Sequence, residues 1–209
     1  MAARQDALEG THFVSDKPLE YQDPDQSVRI TGFWMFLATD MLLFGCLFAT
    51  YLVVRTHTDG GPTPQTIFDV RGFAYETILL LTSSFTGGLA TFAMRHGGKR
   101  QVIFWIAITI LLGLGFIGLE VKEFAADVAM GATMQRSAFL SAFFVLVGTH
   151  GSHVSVGLVW MFLTLVQVAR HGQTPITARR VFIVNLYWHF LDVVWVFIFT
   201  IVYLSGVVM

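Results

Sequence analysis

Tyr187-Trp188-His189-Phe190-Leu191-Asp192-Val193-Val194-Trp195-Val196-Phe197 sets an imidazole and a carboxylate in the middle of an apolar, aromatic run near the C-terminus. Three residues apart on a helix, His189 and Asp192 lie on one face and can bond each other. Ionisable groups inside such a span are costly, so they need partners or a purpose. The run around them extends over about 181–206, long enough to cross a hydrocarbon core of about 30 Å, which takes about 20 helical residues.

Four more runs of that kind precede it, at about 30–54, 73–94, 102–120 and 138–169. Together they predict an all-α integral membrane protein with five transmembrane helices in one bundle. The fourth run, wholly helical, rises about 48 Å at about 1.5 Å per residue, so it must tilt or project beyond the bilayer. Turn chemistry separates the runs: Gly60-Gly61-Pro62-Thr63-Pro64, then Gly97-Gly98, then Gly172 with Pro175. Composition agrees, because 55% of the 209 residues are hydrophobic and only 13% are charged, with a positive mean hydropathy. A net charge of -1 offers no basic, aromatic-interleaved patch for nucleic acid. Cys46 is the single cysteine, so no internal disulfide forms.

Residues 1–28 read as a polar, acidic surface tail carrying Asp6, Glu9, Asp16, Glu20, Asp23 and Asp25 against Arg4 and Lys17. An acidic start and a long first apolar run do not match a secretory signal, so the first helix is expected to be retained. Basic residues orient the bundle. Arg4, Lys17, Arg29, Arg95, Lys99, Arg100, Arg170, Arg179 and Arg180 fall on one side, and Arg55, Arg71, Lys122 and Arg136 on the other. By the positive-inside rule, nine against four puts the N-terminus in the cytoplasm and the C-terminus outside.

Every buried polar residue then has a depth. Asp40, His150, His153, His189 and Asp192 form a mid-membrane layer, while Glu76 and Glu120 fall toward the external side near Glu123 and Arg136. No lysine or arginine lies deep in a span. Three chemistries suit the middle layer. His150 and His153 at i and i+3, with His189 on another helix, suggest haem ligation or a metal site. A proton path through Asp40, Asp192 and the histidines is the second. The third is structural, with polar groups bonding across helices and setting their register. Small residues favour close helix approach, with Gly148, Gly151 and Ser155, or Gly115 and Gly118, as candidate stripes. Trp34, Trp105, Trp160, Trp188 and Trp195 include several too deep to be interfacial anchors only, and buried indole N–H groups need acceptors.

The opening stretch resembles the signature of subunit III of the haem–copper oxidases, the superfamily of cytochrome c and quinol oxidases. Gly148-Thr149-His150-Gly151-Ser152-His153-Val154 is similar to that family's glycine–histidine motif, and Gly118-Leu119-Glu120-Val121-Lys122-Glu123-Phe124 to its paired-glutamate segment. Asp40, in Phe36-Leu37-Ala38-Thr39-Asp40-Met41-Leu42-Leu43-Phe44, stands where many members carry a buried glutamate. The resemblance runs from about Gly32 to Gly206, and Gly60-Gly61-Pro62-Thr63, Ser137 to Phe144 and the length look most like the bacterial cytochrome o (bo-type) ubiquinol oxidase branch. It implies a five-helix form without the two N-terminal helices of longer members. It also implies a non-catalytic subunit in the bacterial plasma membrane, with no catalytic, cofactor or metal residue of its own. Haem b, haem o and copper are expected in subunit I, with contacts to subunits I, II and IV and to phospholipids. On that view Asp40, Glu76, Glu120, Glu123, His150, His153, His189 and Asp192 become a structural, lipid-contacting polar network, and the metal reading falls away.

Overall fold

The computed structural model of the 209-residue chain describes residues 18–21, 24–60, 70–96 and 98–208. Segments 1–17 and 61–69, which hold most of the polar tail and of the first connection, lie outside the described residues, as does Gly97. The described chain is helical, with no strand. Helix α1 covers Pro24–Val54, α2 Val70–His96, α3 Lys99–Ala129, α4 Ala138–His171 and α5 Pro175–Ile198. A π-helical segment, Phe199–Leu204, and a last turn, Ser205–Val208, continue α5. Five helices are long and apolar enough to cross a membrane.

Each expected span is present, and three begin or end at least six residues beyond the apolar run: the first starts at Pro24 rather than near 30, and the third and fifth also extend. The third does not stop at residue 120 but continues to Ala129, which carries Glu123 and Asp127 into the same helix. Charge ends an apolar window without ending the backbone hydrogen-bonding pattern. The fifth starts at Pro175 rather than near 181, because Thr174 and Thr177 cap it reciprocally and Pro175 sits where its missing N–H costs nothing. Ser137 caps α4 by accepting from the Leu140 N–H at 3.2 Å.

The antiparallel pair α2–α3 packs beside the pair α4–α5, with α3 against α4 and α5 against α2, while α1 lies outside this ring on α4 and α5. The core is aromatic and centred on α5, whose Trp188 and Trp195 are the largest fully buried side chains. Both indoles find acceptors on α2: Trp188 Nε1 donates to Ser83 Oγ at 2.9 Å and Trp195 Nε1 to Thr77 Oγ1 at 3.2 Å. Two glycines make room for side chains from other helices. A Cβ on Gly113 would stand 2.8 Å from the Trp188 ring, and one on Gly151 would stand 2.7 Å from Glu120 Oε1. The expected Gly115/Gly118 stripe holds at one position only: a Cβ on Gly115 would stand 3.8 Å from Leu79 Cδ1 on α2, whereas one on Gly118 would meet nothing within 4 Å. Gly113, two residues before Gly115, makes the closest approach on this helix.

Glu20 departs from a surface tail. Leu19–Tyr21 forms a single 3-10 turn laid against α5. There the fully buried Glu20 accepts from Arg95 Nη2 at 2.5 Å and from its Nε at 3.0 Å, and Tyr21 meets Phe182 edge-on with ring centres 6.0 Å apart.

Candidate functional site

Two groups of polar side chains interrupt the apolar core. The first spans the middle of the bundle. His150, on α4, has no exposed surface; its Nε2 donates to the Leu191 carbonyl at 3.2 Å, and its ring lies among Phe44, Phe116 and Trp195. One turn on, His153 faces α1 instead. Its Nδ1 donates to the Thr149 carbonyl at 2.7 Å, leaving Nε2 3.9 Å from Asp40 Oδ2. His189 turns a third way, toward α2, with Nδ1 2.6 Å from Ser84 Oγ.

Ser84 also bonds Asp192. The direct His189–Asp192 contact expected from their spacing is therefore bridged by a hydroxyl from another helix. The three histidines reach three different neighbours and do not converge. Among the described residues, no group of three or more His, Cys, Asp or Glu side chains is placed to hold a metal ion.

A ladder of small polar groups between α2, α3 and α5 extends this layer. Ser83 Oγ donates to the Thr109 carbonyl at 3.2 Å, Thr86 and Thr109 hydroxyls lie 2.8 Å apart, and Asn185 Nδ2 donates to Thr91 Oγ1 at 3.0 Å. Sequence reasoning passed over these residues. A signal was there, because Thr77, Ser84 and Thr91 recur every seven residues along α2 and so keep near one face.

The second group lies where α2 begins and α3 ends. Glu76, Glu120 and Asp127 are buried there. Glu123 bonds Glu76, and Tyr203 from the π-helical segment stands among all four carboxylates. The sequence placed Glu76, Glu120 and Glu123 together correctly and missed Asp127, one turn beyond Glu123. Arg136, expected nearby, instead donates to the Gly131 carbonyl of its own turn at 3.4 Å. Carboxylate oxygens of Glu76, Glu120 and Asp127 are buried without a hydrogen-bond partner.

Fold and site together define a multi-pass membrane protein whose interior histidines, His150, His153 and His189, each hydrogen-bond a carbonyl or a hydroxyl within the bundle. The family model for cytochrome c oxidase subunit III matches residues 25–207, and the chain belongs to that family. Its relatives include quinol oxidase subunit 3 of Bacillus subtilis (strain 168), 49% identical over 195 residues, 93% of this chain and 96% of that protein. Cytochrome bo(3) ubiquinol oxidase subunit 3 of Pseudomonas putida is 49% identical over 180 residues, 86% of this chain and 87% of its own length. Cytochrome c oxidase subunit 3 of Bacillus sp. (strain PS3) is 46% identical over 180 residues, 86% and 87% of the two chains. Family membership and five apolar helices make this chain a multi-pass protein of the bacterial inner membrane.

Proposed function

We propose that this chain is subunit III of a quinol-oxidising, oxygen-reducing terminal oxidase, taking no part in the redox chemistry itself and supporting assembly and stability of the complex. The observation that carries the reading is near-full-length identity of about one half to proteins named quinol and ubiquinol oxidase subunit 3. The divergence of His150, His153 and His189 agrees with it, since they reach the Leu191 carbonyl, the Thr149 carbonyl and the Ser84 hydroxyl rather than one common point. Haem b, haem o and copper then belong to subunit I, the main contact, with subunits II and IV completing the complex and phospholipids filling its lipid-facing grooves. Asp40, Glu76, Glu120, Glu123, His150, His153, His189 and Asp192 act as a structural polar network. The nine-to-four distribution of basic residues supports a cytoplasmic tail over 1–28, a five-helix domain over 29–209 and an external C-terminus.

The test is purification of the complex through a tag on this chain, followed by haem extraction and oxygen uptake. Co-purified haem b, haem o and copper with uptake driven by ubiquinol are expected. Uptake driven only by reduced cytochrome c would favour the second reading, a five-helix cytochrome c oxidase, which the Bacillus sp. (strain PS3) relative keeps in view. Recovery of this chain with a stoichiometric haem and no partner subunits would overturn both.

A further inference from the structure

We draw no further inference here: the strongest candidate, the groove of about 400 Å³ between α1 and α5 lined by Trp34, Leu37, Met41, His189, Phe190 and Val193, is an apolar face of the bundle, and nothing in the structure shows what covers it.

Discussion

The hydroxyl ladder between α2 and α5 and the acidic cluster at the start of α2 are built on the same helix and are satisfied in opposite ways. Along the ladder, indole, hydroxyl and amide groups pair one with another: Trp195 with Thr77, Trp188 with Ser83, His189 with Ser84, Asn185 with Thr91. At the cluster, three buried acids keep oxygens without donors. Donors and acceptors matched in number fix how two helices register. Acceptors in excess fix no such register, because carboxyl groups can bond one another only where one of them carries a proton, as Glu76 and Glu123 do.

The comparison breaks most severely at its tightest point. Gly113→Leu drives a side chain into the Trp188 ring, already 2.8 Å from a Cβ there, and should cost about 3 kcal/mol, at the upper end for overpacking. The expected result is loss of the assembled complex in fluorescence-detected size exclusion, and normal yield would show that α3 can move away. Trp188→Phe keeps the ring volume closer to native but removes the indole donor to Ser83, which keeps only its bond to the Thr109 carbonyl, at about 1 kcal/mol. A lower unfolding temperature of the solubilised complex checks it.

A smaller effect is expected at the serine bridge. Ser84→Ala and His189→Ala should each lower recovery of the complex by about 0.6–1.7 kcal/mol in effect, with turnover per intact complex nearly kept, and the double variant should be less than additive because the two share one bond. Additive losses would mean that Ser84 and His189 act separately. A large turnover loss in fully assembled Asp192→Ala complexes would instead assign the bridge to proton supply. The smallest effect belongs to the acidic side of the comparison. Glu120→Gln replaces two partnerless oxygens by an amide that brings its own donors, and stability should stay within about 0.5 kcal/mol or rise. A drop beyond that, read from the same melting curve, would reveal a partner for Glu120 in the complex.

Much of this was legible in the residues themselves. Each helix advertised its span through apolar length, and Trp188 and Trp195 announced by depth that they needed acceptors. What those acceptors were did not follow, because Ser83 and Thr77 lie more than one hundred residues earlier and a hydroxyl reads alike whether it faces lipid or a neighbouring helix. The same limit explains His189 and Asp192: local spacing correctly put them on one face, while the serine between them came from α2. Helix ends were blurred for a different reason. Val121–Ala129 carries charge, so the apolar signal fades although the backbone continues as helix, and Asp127 was lost with it. Gly113 was passed over because motif spacing favoured Gly115 and Gly118, and only the position of Trp188 decides which glycine faces inward. No local pattern marked Glu20, whose guanidinium partner is 75 residues away.

That last pair constrains how the chain is made. Glu20 precedes the first membrane helix and Arg95 ends the second, while Tyr21 beside it rests on Phe182 at the start of the fifth. During synthesis the Glu20 carboxylate therefore waits for one complete helical hairpin to be inserted before its guanidinium arrives, and for two hairpins before Phe182 covers the turn. The closed clasp is a record of parity: skipping one of the first two crossings would leave Glu20 and Arg95 on opposite faces of the bilayer, and skipping one of the first four would separate Tyr21 from Phe182.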